Sequence, residues 1–223
     1  MYIKNLSIRN FRNFQSTKLN FKKECVNTIV GENSSGKTNV FEAMRLILDD
    51  SLPYYKRFLT ERDFHRGCLP VFGQWILISL ELGDISGDEE SEILCQLNTT
   101  VDAGGTGRVT YIYRPQFHIR EKLFNLSSIA DLQKRREAYD KLLKEYIIDK
   151  TTYEAWTVYQ GTCDFSDENE YVRIAGDFSN FIFPNPSVEY IDLLGNRQRG
   201  YNLLDHISCT YARALRDVVS ELK

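Results

Sequence analysis

Residues 31–38 read Gly-Glu-Asn-Ser-Ser-Gly-Lys-Thr and satisfy the pattern G-x-x-x-x-G-K-[ST] in full. No other stretch constrains the local fold as tightly, because each fixed residue type has a physical task. Glycines at Gly31 and Gly36 let backbone N–H groups turn inward as a nest for an anion. The Lys37 ammonium suits the β- and γ-phosphates of a nucleotide, and the Thr38 hydroxyl suits Mg²⁺. Such a loop sits between a strand and a helix whose positive dipole end faces the same anion. Val26-Asn27-Thr28-Ile29-Val30 reads as a buried strand running into Gly31. Behind the loop, Val40, Phe41, Met44, Leu46, Ile47 and Leu48 suit a helix packed on a sheet, stopped by Asp49-Asp50-Ser51 and Pro53. The expected ligands are ATP and Mg²⁺, held by Gly31, Glu32, Asn33, Ser34, Ser35, Gly36, Lys37 and Thr38, with Thr38 on the metal.

Around this loop the pattern is that of alternating strands. Tyr2–Asn10 has period two, and Thr17–Phe21 alternates again before a turn at Lys22-Lys23-Glu24. Residues 51–74 hold Pro53, Gly67, Pro70 and Gly73 and read as irregular, whereas Trp75–Leu82 is a strong strand. Residues 84–92 are acidic and read as an exposed loop, and Ala103–Gly107 as a turn before a strand at Arg108–Arg114. Ser128-Ile129-Ala130-Asp131 is similar to a capping box with Asp in place of Glu. Leu132, Tyr139, Leu142, Leu143 and Tyr146 follow at helical spacing, which predicts an amphipathic helical insertion over 117–160. Strand-like segments return at Tyr171–Ile174 and Val188–Ile191, and Ala212–Lys223 is amphipathic.

The hydrophobic fraction of 42% and charged fraction of 26% are those of an ordinary globular protein. No apolar run approaches the roughly 18 residues that span a bilayer, and Met1–Asn5 lacks a signal peptide's apolar stretch. The five cysteines are dispersed without zinc-type spacing and read as reduced thiols, so the expected location is cytoplasmic, with no membrane partner. A net charge of −3 gives no overall basic character that points to nucleic acid.

Ile8-Arg9-Asn10-Phe11-Arg12-Asn13-Phe14, Leu19-Asn20-Phe21, and the loop continued by Asn39-Val40-Phe41-Glu42-Ala43 resemble the N-terminus of the SMC/RecF/OLD group of ABC ATPases. Within that group the chain resembles most the OLD (overcoming lysogenisation defect) family of ATP-dependent endonucleases, including relatives in anti-phage systems. Asp63-Phe64-His65 and Tyr211–Asp217 share the resemblance, which is dense over 1–66, patchy over 72–116 and 187–223, and absent over 117–186. It implies an α/β fold, a P-loop NTPase of ABC/SMC-like type, with a mixed parallel and antiparallel sheet and a helical insertion. The lobe would occupy 1–116 and 161–223, with the insertion at 117–160 between them. The resemblance also implies that the segment between two preceding strands folds back over the nucleotide, which brings in Arg12 and Asn13. Gln116 and Asp63 are alternatives for sensing the γ-phosphate, and Glu42 is either a family position or a surface carboxylate.

The same resemblance implies a parent ATPase that controls DNA cleavage, with DNA and a second copy, as homodimer or higher homo-oligomer, as partners. A non-nuclease SMC- or RecF-like DNA ATPase is the alternative, and a small-molecule P-loop kinase is a weaker one. No Asp-Glu pair closes an apolar strand; Ile78–Asp84 and Val188–Asp192 come nearest, and no Leu-Ser-Gly signature loop is present. No catalytic residue is therefore assigned within the chain. The signature loop, the Walker B strand and any nuclease domain are expected beyond Lys223, so this portion is expected to be inactive alone.

Overall fold

The computed structural model describes residues 1–33, 35–85, 97, 105–188, 190–197 and 203–211. Their frame is a six-stranded sheet in the order β2-β1-β3-β4-β5-β6. β1 (Tyr2–Phe11) and β2 (Phe14–Asn20) make a hairpin with Arg12-Asn13 at its tip. β3 (Ile76–Gly83), β4 (Gly107–Pro115) and β5 (Tyr153–Gln160) follow, and the short β6 (Gly195–Asn196) closes the far edge.

Period-two patterning divides the two faces of this sheet. On one face Leu6, Ile8, Ile78, Leu80, Val109, Tyr111 and Tyr113 pack against Val40, Ala43, Leu46 and Ile47 of α1 (Lys37–Leu48). Each large apolar side chain buried there contributes about 1.5–3 kcal/mol. On the opposite face Leu77, Ile112 and Val158 meet Tyr171, Ile174 and Ala175 of α4 (Glu168–Ala175). α2 (Phe117–Leu126) and α3 (Leu132–Glu145) join β4 to β5. A last helical turn, α5 (Ile191–Leu194), leads into β6.

Several expectations need correction. All the sheet's neighbouring strands run antiparallel, so the sheet is not mixed. The strand expected at Val26–Val30 does not form, and Val26 and Val30 are 92% and 85% exposed. An apolar run reports a preference for burial without naming a partner, and β1 is already paired on both sides, by β2 and β3.

Tyr171–Ile174 lies in a helix: Asp167 caps it by accepting from the Asn169 N–H, and buried Tyr171, Ile174 and Ala175 fall at i, i+3 and i+4. Ile191 likewise opens α5, and Glu189 lies outside the described residues. The cap of α3 is Asp131, whose carboxylate accepts from the Lys134 N–H, and not Ser128. The helices end at Glu145, and the tail of the 117–160 segment is β5, paired in register with β4. Residues 86–92, the glycine turn at 103–104 and the amphipathic stretch 212–223 lie outside the described residues. Among the described residues, no helix is long and apolar enough to cross a membrane.

Candidate nucleotide-binding site

The hairpin tip is set by two left-handed residues, Asn10 (φ 56°) and Arg12 (φ 51°). Asn10 is fully buried and anchors the end of β1: its Nδ2 donates to Trp75 O at 3.0 Å and Tyr171 Oη at 2.7 Å. Its Oδ1 accepts from Cys68 Sγ at 2.8 Å. Next to it Arg9 is buried, paired with Glu168 and stacked 4.3 Å from the Tyr171 ring centroid. Alternation alone gave no sign of that burial.

From this anchor the tip reaches the loop. The Arg12 N–H donates to Asp63 O at 2.7 Å, its Nε to Asp63 Oδ1 at 3.1 Å, and its Nη1 to Asn39 Oδ1 at 3.0 Å. Asn13 Nδ2 donates to Ser35 O at 3.0 Å, and Asn39 Nδ2 donates to Asn13 Oδ1 at 2.7 Å. Arg12 and Asn13 are thus joined to the loop and the first turn of α1, although more than twenty residues separate Asn13 from Ser35 (|i−j| = 22). Asn39 is the residue that sequence reasoning missed as a site member; its only signal was its place in the Asn39–Ala43 stretch.

The loop closes around the lysine. Lys37 Nζ donates to Gly31 O and Glu32 O, both at 2.6 Å, and the Ser35 N–H donates to Glu32 O at 3.2 Å. Gly36 stands at the N-cap of α1 with φ 99°, where a Cβ would lie 2.0 Å from Asn13 Nδ2. α1 has no side-chain cap and no acidic residue in its first turn, so its terminal N–H groups and dipole are left uncompensated by the protein's own carboxylates. Glu32, Asn33 and Thr38 are exposed, and Ser34 lies outside the described residues. Amide donors, a lysine and an arginine with glycine at the close approach fit a polyphosphate, and the exposed Thr38 hydroxyl fits its divalent cation.

The other expected residues separate. Asp63 borders the site through Arg12, and burial, then the Asp63 charge, pushes the Tyr113 phenol well up. Gln116 donates from Nε2 to Lys150 O at 2.7 Å, at the turn into β5 and not at the loop. Glu42 pairs with Arg45 at 2.9 Å on α1. Asp84 pairs with Lys23 at 2.7 Å and stands at the end of β3 that faces Tyr2, away from the hairpin tip. That partner holds the Asp84 carboxyl below its ordinary value. Asp192 accepts at its carbonyl from Thr162. Among the described residues, no cluster of metal ligands forms elsewhere.

Comparison with known proteins agrees in kind. The chain is 29% identical over 112 residues to "Endonuclease GajA" of Bacillus cereus (strain VD045), covering 50% of this chain and 18% of that protein. It is 45% identical over 47 residues to "DNA replication and repair protein RecF" of Bacillus velezensis, covering 21% and 12%. It is 44% identical over 48 residues to "DNA double-strand break repair Rad50 ATPase" of Methanococcus maripaludis, covering 22% and 5%. The matched stretch spans less than a fifth of each relative's length. The family model described as "AAA ATPase domain" matches residues 1–202, and the chain belongs to that family.

Proposed function

We propose that this chain binds ATP with Mg²⁺ at Gly31–Thr38 and is the ATP-binding lobe of a larger ABC/SMC-like ATPase that controls DNA cleavage, of the OLD type. The observation that carries the reading is the junction of hairpin tip and loop, where Arg12 and Asn13 meet Asn39 and Ser35 beside Lys37. Lys37 would leave the loop carbonyls to neutralise the β- and γ-phosphates, and Thr38 would hold Mg²⁺. Bound Mg²⁺ supplies further neutralisation of phosphate charge. Glu32, Asn33, Ser34, Ser35 and Gly36 would contribute the backbone N–H nest, with Arg12 and Asn13 closing it from the hairpin side. Two such lobes would be brought together by ATP in the parent protein. The name of the Bacillus cereus relative supports the nuclease assignment; a role in anti-phage defence rests on the resemblance to the OLD family alone.

A second reading, a DNA-repair ATPase that does not cut, is favoured by the higher identity to RecF and Rad50 over shorter stretches. ATP–Mg²⁺ should raise the melting temperature of residues 1–223, because a ligand that binds only the folded state stabilises it. Lys37→Ala should abolish that shift while leaving the unliganded melting temperature nearly unchanged. An equal shift in both proteins would end the assignment of the loop. Incubating the full-length protein with DNA decides between the two readings: cleavage supports the nuclease, and ATP-dependent binding without cleavage supports the repair ATPase.

A further inference from the structure

Asp63 closes the short 3-10 turn Glu61–Asp63, and both of its carboxylate oxygens are engaged. Oδ2 accepts from the Thr60 N–H at 3.0 Å and from the Thr60 hydroxyl at 3.1 Å, in a capping box that fixes the orientation of the carboxylate. Oδ1 accepts from Arg12 Nε at 3.1 Å, and the Asp63 carbonyl accepts from the Arg12 N–H at 2.7 Å. The turn is itself fastened on both sides. Upstream, Tyr113 Oη donates to Leu59 O at 2.6 Å. Downstream, buried Phe64 bridges Phe11, and the His65 N–H donates to Asn10 O at 3.0 Å.

This fixed carboxylate decides what Arg12 can do. Nε goes to Asp63 and Nη1 to Asn39, which follows Thr38 in the first turn of α1. Two anchors on two elements therefore hold the guanidinium plane in the absence of a ligand. Nη2 has no acceptor among the described residues, and the Arg12 side chain is 33% exposed. A guanidinium with one edge held and one nitrogen free is suited to a phosphate oxygen. An arginine left loose would have to be ordered when the phosphate arrives, at a cost in affinity.

We propose that Asp63 is a positioning residue of the nucleotide site: it grips Arg12 from behind and presents Nη2 to the terminal phosphate of ATP. The inference rests on the reading of Gly31–Thr38 as the ATP–Mg²⁺ loop. It points to the terminal phosphate because Asn39, the second anchor, shares its helix turn with Lys37 and Thr38, the residues suited to the β- and γ-phosphates and to Mg²⁺. Asp63 thus acts through Arg12 and does not face the phosphates itself.

Two substitutions isolate this role. Asp63→Asn and Asp63→Ala remove the same charge, so comparing them cancels any long-range effect of that charge on the phosphates. Only Asp63→Asn keeps an oxygen that can accept from Arg12 Nε. In calorimetry on residues 1–223, Asp63→Ala should bind ATP–Mg²⁺ about two- to tenfold more weakly than Asp63→Asn, the cost of ordering one free side chain. The gap should close with ADP–Mg²⁺, which lacks the phosphate that Nη2 meets. It should also close in the Arg12→Ala background, where nothing remains to be held. Asp63→Ser, whose hydroxyl can still accept within the capping turn, replaces Asp63→Ala if that variant melts below the assay temperature. Equal ATP affinities of the Asn and Ala variants overturn the proposal, as does a gap that persists with ADP–Mg²⁺ or without Arg12, since a merely structural turn would behave so. ATP binding that survives Lys37→Ala removes the loop assignment and this proposal together, whereas Lys37-dependent binding without the gap removes the positioning role alone.

Discussion

Gly36→Ala probes the contact between hairpin and loop at its tightest point. Gly36 has φ 99°, which costs an L-residue about 1–2 kcal/mol. Its new Cβ would also fall 2.0 Å from Asn13 Nδ2 and 2.6 Å from Asn13 Cγ. The amide can swing away, but it then gives up its bonds to Ser35 O and from Asn39 Nδ2. Two exposed hydrogen bonds of this kind are worth about 1–2 kcal/mol together. The single substitution should therefore destabilise the folded protein by about 2–4 kcal/mol, and Asn13→Ala alone by about 1–2 kcal/mol. In the double variant the same two bonds can be lost only once. Urea unfolding of the four proteins should thus show the double falling short of the sum by about 1–2 kcal/mol. Strict additivity would mean that Asn13 and Gly36 do not meet in the folded protein, and the account of the site would fail with it.

Arg12→Ala removes the bridge between Asp63 and Asn39 and should weaken ATP binding by roughly 1–3 kcal/mol; unchanged affinity in calorimetry would exclude Arg12 from the site. Asp49 is buried at the end of α1, and although burial itself raises its carboxyl, hydrogen bonds from Ser51 and Arg45 outweigh that and hold it below its ordinary value. A depressed folded value contributes stability above the unfolded carboxylate range, lost as pH falls through the folded one. Asp49→Asn should accordingly cost about 1–3 kcal/mol in urea unfolding at neutral pH and much less in acid, and an equal cost at both would refute the ion pair's role. Asp63 is committed to Arg12 and Glu42 to Arg45. Phosphate release by residues 1–223 should thus stay near background, and turnover of about 1 s⁻¹ that is lost in Lys37→Ala would contradict this.

The strands of the hairpin were legible from their alternation, and β3 and β4 as apolar runs, because both faces of the sheet are covered there. α1 was legible from its apolar spacing and from Asp49 and Pro53 behind it. Both segments of the 161–223 stretch were misread because four residues such as Tyr171–Ile174 cannot separate a strand from one helical turn. The deciding residues were Asp167 before it and Gly176 after it, where φ 106° ends the helix. β5 was hidden because Glu154 breaks the apolar pattern on the face of Trp156 and Val158, and Thr157 breaks it on the face of Tyr153 and Tyr159. The loop residues were plain in the sequence, and the hairpin pair Arg12 and Asn13 could be named only through resemblance. Asn39 needed the three-dimensional contact, since an asparagine after a Lys-Thr pair has no pattern of its own.

The pairing of β1 with β3 also has a mechanical meaning. Arg9 lies opposite Leu77, so the ladder stitches together the two ends of the stretch that holds the nucleotide loop and α1. Movement of the loop is thereby confined within a closed segment and need not unzip any strand. Within that segment the hairpin tip is riveted to the loop side by the Phe11–Phe64 bridge, the Arg12 fork and the Asn13 amide, and α1 rests on the sheet. A change at the phosphates would reach the rest of the lobe as a tug on one hairpin tip and as a push of α1 on the sheet face it covers.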